Sequence, residues 1–322
     1  MTVPPVAVIS ERNFVRLAAA AISTGRTLQL NRRRVKLCEP YRLGSNHVLR
    51  IAGGSIHGDG HSLLQVEGTR RGLLELVDIQ LRHFPSAERT EKRSQGAAVF
   101  VRGKGQLALR ACEVSSEGGF GLWLVQKASA TAHDCTFPGP GARSAVVSFE
   151  NSRLALHNCR FDNAEPHAVC ARGTAALIVH NCTIVGSALR AIYCYHSARL
   201  DMSGCHISGT RSTTAAAIQV DALRPGDAAS LSLSCTTFED NAGGDLSVSG
   251  NVERIVTDCT YHERDNTTEL GTFANRERDV GYHSGSGLSA DVDDTAVREE
   301  PEALNGRPSR SPYDLWREGD GQ

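Results

Sequence analysis

Aromatic residues are scarce in this chain: Phe, Tyr and Trp together make up 5% of its 322 residues. Long apolar runs are lacking as well. No stretch approaches the roughly 18 residues that cross a bilayer, so no membrane partner is expected. The formal net charge of −1 gives no global attraction toward nucleic acid or an anionic lipid surface. The opening residues, Met1 to Phe14, contain neither the basic nor the apolar region of a secretory leader. An intracellular location, cytoplasmic or nuclear, is therefore expected. With 40% hydrophobic and 22% charged residues, the chain has enough apolar surface for one large domain or two ordinary ones.

Two residue types are plentiful: ten cysteines and thirty-one glycines. The cysteines are too sparse for a disulfide scaffold in a chain of this length, so their positions carry the information. Seven are Cys112, Cys135, Cys159, Cys182, Cys205, Cys235 and Cys259, and the first four gaps are 23, 24, 23 and 23 residues. A fixed period of this size marks a repeat architecture. Leu107 and Leu109 precede Cys112, as Leu154 and Leu156 precede Cys159, Leu177 and Val179 precede Cys182, and Leu200 and Met202 precede Cys205. Two places after the cysteine come Val114, Phe137, Phe161, Ile184 and Ile207. This is the period-2 alternation of half-buried strands.

The frame extends upstream through Leu74, Leu76, Ile79 and Leu81, then Leu49, Ile51, Gly54 and Ile56, then Leu28, Leu30 and Val35. Downstream, Leu231, Leu233 and Phe238 fit if Thr236 takes the cysteine slot and Cys235 sits one place before it. In the last coil, at Cys259 and Tyr261, Arg254 occupies an expected apolar position. About ten coils result, with insertions near 83–96 and 222–229. The residue before the slot is Gly53, Asp78, Ala111, Asp134, Asn158, Asn181, Gly204 or Asp258. Most of these tolerate left-handed backbone, which a tight turn in every coil demands. A second strand lies 13 residues before each cysteine, at Val99, Leu122, Val146, Val169 and Ile192. The pattern predicts an all-β parallel solenoid over 27–261. Ser10 to Ser23 reads as a capping helix in the 1–26 segment, with Phe14, Leu17, Ala18 and Ala21 on one face and Gly25 as its stop.

Over roughly 10–261 this pattern resembles the right-handed parallel β-helix superfamily of pectate lyases and polygalacturonases. It is nearest in style to the intracellular β-helix regions of the SHC-binding protein family and of β-helix F-box proteins. The β-helix of adenoviral large early-region proteins is a weaker likeness. Such a resemblance implies fold far more than function.

Stacked at about 4.8 Å per rung, the cysteines read as reduced core packing by a small hydrophobe. Disulfide bridging remains open on distance, and metal binding is the other alternative. No close CxxC or CxxH element is present, and no cofactor is expected.

If Val99, Leu122, Val146, Val169 and Ile192 point inward, Phe100, Trp123, Val147, Cys170 and Tyr193 form an outward row, followed by Arg102, Val125, Phe149, Arg172 and Tyr195. Scarce aromatics thus gather on one face with arginines, the composition of interface hot spots. Phe100, Arg102, Trp123, Phe149, Arg172, Tyr193 and Tyr195 are the candidate partner-binding residues. A covering segment or a sugar-stacking platform are the competing readings. A second row, Arg110, His133, His157, His180 and Ser203, places three histidines in successive coils. It is a weak metal or pH-sensing candidate against the plainer reading of a solvated ladder.

Catalysis is not favoured. Glycoside hydrolysis needs paired carboxylates, and the Asn-Thr-Asp, Gly-His-Gly and Arg-Ile-Lys motifs of polygalacturonases are absent from the repeats. Asp293 and Asp294 lie in the tail, while His57, Asp59 and His61 read as a Gly-rich turn. No P-loop, dinucleotide fingerprint or nucleophile elbow is present. Residues 262–322 hold fourteen acids against seven arginines, leaving +6 on the remainder, and predict a disordered acidic tail. Within it, Tyr313, Leu315 and Trp316 form an apolar island suited to recognition. Short basic clusters at Arg32–Arg34 and Arg70–Arg71 lack a stacking platform, so no nucleic-acid partner is expected. The expectation is a non-catalytic intracellular scaffold that binds a protein partner, or a second copy, through the aromatic face. A carbohydrate-binding or carbohydrate-active β-helix is the alternative.

Overall fold

The repeat places apolar residues two apart, then a corner residue, then, from Cys112 onward, a small side chain that carries a donor. The computed structural model describes residues 7–59, 62–84, 96–139 and 143–262 and is all-β there except for one helix. The acidic tail beyond His262, its island at Tyr313, Leu315 and Trp316, and most of the insertion near 83–96 lie outside the described residues. One parallel sheet of eighteen strands runs in ten rungs from Leu28–Leu37 to Thr260–His262, with the two-residue strand Val8–Ile9 added on its first edge. A second, of nine strands, runs from Tyr41–Leu43 to Leu246–Gly250. The chain is a parallel β-solenoid of about ten coils. The expected inward row is in register along the nine-stranded sheet, Val99 beside Leu122, Val146, Val169, Ile192 and Ile218 in turn.

The corner explains the cysteines. Asp78, Ala111, Asp134, Asn158, Asn181 and Asp258 all have φ between 51° and 56°, with Gly53 at 65° and Gly204 at 62°. Cys235 itself adopts φ 46°, and Thr236 fills the buried slot after it. Corner N–H groups still donate to the next coil, as Asp134 does to the His157 carbonyl at 3.0 Å. The turn carries the following N–H away from any carbonyl. Cysteine sulfur meets that need: the Cys159 N–H donates to Cys182 Sγ, and the Cys182 N–H to Cys205 Sγ, both at 3.3 Å. Each thiol also donates to the carbonyl two residues back, Cys135 to His133 at 3.2 Å and Cys182 to His180 at 3.4 Å. Thr236 makes the same bond to Ser234 at 3.0 Å. From Cys112 onward the slot therefore holds a small side chain with a hydrogen-bonding head, whereas Gly54 and Ile79 fill it in the coils before. None of the ten cysteines is in a disulfide, and eight are buried.

Inward slots beyond the corner stack like on like. Phe137 and Phe161 lie 4.6 Å apart at 5°, and Phe238 and Tyr261 5.2 Å apart at 3°. The open N-terminal end is closed by the helix Glu11–Thr24. Ser10 caps its start by accepting from the Asn13 N–H, and Gly25 at φ 65° ends it. Phe14, Ala18 and Ala21 are buried on the first coil, whereas Leu17 is 36% exposed. That departs from the expected helix face, because Leu17 stands about 60° round the axis from Phe14, at the stripe's edge. At the other end Arg254 sits in register with the inward Leu231, and it is exposed.

Two outcomes follow from the corner. A thiol reagent should label two cysteines, Cys38 and Cys235, in the native protein and the other eight only after unfolding. Cys182→Ala, which leaves the buried Cys159 N–H without its sulfur acceptor, should cost about 1–3 kcal/mol in urea unfolding. Cys182→Thr, copying the Thr236 slot, should lose less.

Candidate binding face

The outward side of the nine-stranded sheet carries two rows in register. Phe100, Trp123, Val147, Cys170, Tyr193 and Gln219 follow one another, as do Phe149, Arg172, Tyr195 and Asp221 in the row two places on. The rows are as the alternation predicts, but they do not form an open apolar patch. Trp123 is 7% exposed, Val125 4%, Val147 1% and Cys170 7%. The rings cover one another: Trp123 lies 4.8 Å from Phe100 and 5.5 Å from Phe120. Trp123 is thus an anchor within the face, and Phe100, Arg102, Phe149, Arg172, Tyr193 and Tyr195 are its half-buried members. Arg102 is held by Glu67 at 2.9 Å.

Toward the C-terminal coils the face turns polar. Tyr193 and Tyr195 stack at 4.8 Å and 19°, with Arg190 4.4 Å over the first ring and Arg172 5.5 Å from the second. Such guanidinium–ring contacts contribute about 0.5–2 kcal/mol each, depending on desolvation. Arg190 Nε donates to Gln219 Oε1 at 2.6 Å, and Gln219 Nε2 donates to Asp221 Oδ2 at 2.8 Å. His167 packs its ring 5.4 Å from Tyr193. Burial, with Asp221 adding, raises the Tyr193 phenol, and burial pushes Tyr195 up to about 12 and the Cys170 thiol up to about 12. The Cys170 thiol therefore stays protonated and inert near neutrality. Trp123 Nε1, His167 Nδ1 and Asp221 Oδ1 are buried without a hydrogen-bond partner. Sequence reasoning missed His167, Arg190 and the Gln219–Asp221 link. The register signal was present, since His167 and Arg190 share one slot.

Among the described residues, the outward rows of the face bring no two carboxylates within catalytic spacing. Its two outward rows carry Glu67 and Asp221, six rungs apart, or about 29 Å. Acid–base work on a glycosidic bond needs about 5–10 Å. The second candidate row, His133, His157 and His180, is in register. Its rings stack at 4.6 Å and 10°, then meet edge-on at 5.4 Å, rather than converging on a point. No group of three or more His, Cys, Asp or Glu among the described residues is arranged to hold a metal ion. Burial, then the charges of His133 and His180, lowers the His157 pKa. No helix among the described residues is long and apolar enough to cross a membrane.

Residues 85–223 match the family model of the right-handed β-helix region. The match supports a right-handed parallel β-helix, and nothing supports the narrower likeness to SHC-binding, F-box or adenoviral proteins. A search of curated proteins found no match. Among solved structures, a pectin methylesterase from Aspergillus niger is similar at 12% identity and TM-score 0.44, over 76% of this chain and 88% of that one. The Agl-KA catalytic domain is similar at 12% identity and TM-score 0.40, over 81% of this chain and 56% of that one.

Burial, with Arg190 beside it, holds the His167 pKa down at about 3, against 6.5 for the free side chain. The folded protein keeps this ring neutral while the unfolded chain takes up a proton below pH 6.5. The resulting stability is complete above that pH and falls as pH drops toward 3, at up to about 1.4 kcal/mol per pH unit. Urea unfolding at pH 7, 6 and 5 should show this slope, and His167→Gln should flatten it.

Proposed function

We propose that this protein is a non-catalytic intracellular scaffold that holds a protein partner against the nine-stranded sheet, centred on Arg172, Tyr193 and Tyr195. The observation that carries the reading is the half-buried Tyr193–Tyr195 stack gripped by two guanidinium groups. Tyr and Arg, rigid and desolvated, supply most of the energy at protein interfaces. The three buried polar atoms without partners on the same face support it, because proteins retain such costs chiefly where function needs them. The wide separation of Glu67 and Asp221 argues against hydrolysis. Eight buried, unbridged cysteines suit a reducing compartment.

A saccharide is the second occupant to consider, since stacked tyrosine rings also suit a sugar face. Affinity capture with the native protein and with Arg172→Ala/Tyr195→Ala separates the readings. The double variant should lose its specific partner at least tenfold, while its melting temperature shifts by only a few degrees. Unchanged capture would overturn the proposal, and saturable binding of an oligosaccharide that the double variant abolishes would replace it with the carbohydrate reading.

A further inference from the structure

An insertion interrupts the repeat beside the tyrosine stack. In two successive coils the strands His167–Gly173 and Arg190–His196 each reach the next strand through two residues. The strand Ile218–Ala222, in register with them, takes six, 223–228, before Ala229–Ser234 begins. The period of the solenoid does not require the longer connection, yet it is braced in place. Asp227 Oδ2 accepts from the Arg224 N–H at 3.1 Å and lies 3.2 Å from His196 Nδ1. The Asp227 N–H donates to the Arg224 carbonyl at 3.0 Å, and the Ala228 N–H donates to Ser197 Oγ at 3.1 Å. Asn251 Nδ2 donates to the Asp227 carbonyl at 3.1 Å. Gly226, at φ 88°, supplies the turn. What this brace presents is Leu223, 69% exposed, followed by exposed Arg224 and Pro225.

The brace ties Arg224 to the stack. Arg172, Tyr195 and Asp221 stand in register on consecutive rungs, and the His196 ring lies 5.0 Å from that of Tyr195. Burial lowers the His196 pKa first; the hydrogen bond to Asp227 opposes this, and Arg224 and then Arg172 lower it further. Both guanidinium groups therefore act on one ring. Neither has a counter-ion. Arg50, Arg82, Arg102, Arg160 and Arg211 are each paired with a carboxylate, whereas Arg172 and Arg224 are paired with none among the described residues. Like charges held near one another repel, and an anion brought to both relieves that cost. We propose, on the reading that a protein partner lies against this sheet, that 223–228 is its recognition loop. Arg224 and Arg172 together receive a carboxylate side chain of the partner, and Leu223 covers an apolar side chain next to it. The guanidinium fork matches a carboxylate in two-point geometry. A loop braced before binding gives up little further freedom on docking, so more of its contact energy appears as affinity.

The probe is a library of random linear peptides displayed on phage and selected on the full-length protein. Retained peptides should carry an Asp or Glu adjacent to a Leu, Ile, Val or Phe. Arg224→Glu should weaken the strongest of them by at least about tenfold, the scale of a lost charge-assisted contact. A fresh selection on that variant should favour Lys and Arg in place of the acid, while Arg224→Lys should keep the preference for acids. Leu223→Ser should weaken the same peptides severalfold. Both side chains are exposed, so the melting temperature should hold in every variant. Retained peptides without acids, binding that Arg224→Glu leaves unchanged, or a library that yields no saturable binder overturns the proposal. Arg172→Ala/Tyr195→Ala separates it from the wider reading. If that pair abolishes binding and Arg224→Glu does not, the tyrosine face holds its partner without the loop; if neither variant matters, both fall.

Discussion

Every coil depends on one backbone constraint, a single residue at positive φ that turns the strand without breaking the ladder. A left-handed corner costs roughly 1–2 kcal/mol for a residue with a side chain, and it strands the N–H that follows. The cysteine sulfur answers that second problem, accepting from the coil before it while its proton goes to the carbonyl two places back. Apolar side chains at Cys182 and Cys205 would leave the Cys159 and Cys182 N–H groups short of a partner. Cysteine is therefore chosen here for its hydrogen-bonding head as much as for its small volume. The appearance of Thr236 in the same slot, with the same bond, supports that account.

A corner held at the same place in each coil forces equal positions to stack, and that regularity generates the surface. Phenylalanines stack inside, histidines stack outside, and aromatic and arginine residues line up on the nine-stranded sheet. No loop or helix has to be positioned for such rows to exist. The chemistry of a face changes only as the residues in a row change. Along the outer rows that happens between Cys170 and Gln219, where apolar side chains give way to Arg190, Gln219 and Asp221. The two ends of the molecule are thus chemically distinct, arginine-rich on the first coils and tyrosine-centred near the last.

The period, the corner residues and the slot substitution at Thr236 are legible in the sequence because each is local and repeated many times. The register of the outer rows follows from the same period. Their burial does not, because it depends on how Phe100, Phe120 and Trp123 turn their rings across the pleat, and alternation says nothing of that. His167 and Arg190 escaped notice for a related reason. They stand at strand starts where strict alternation breaks, beside Ala168 and Ala191, which are fully buried. The histidine row was readable as a row, but whether its rings stack or converge is decided by side-chain angles.

A solenoid is an assembly whose terminal rung looks like all its others, so its length is not set by the repeat itself. At the first coil a capped helix supplies the boundary. At the last, the boundary is a point charge: Arg254 stands in the slot that Leu231 fills one rung earlier. A further rung of any origin, including the exposed edge of a sister molecule, would have to enclose that guanidinium in hydrocarbon, at a penalty of several kcal/mol. One arginine thereby sets a charge penalty against stacking a further rung on this face.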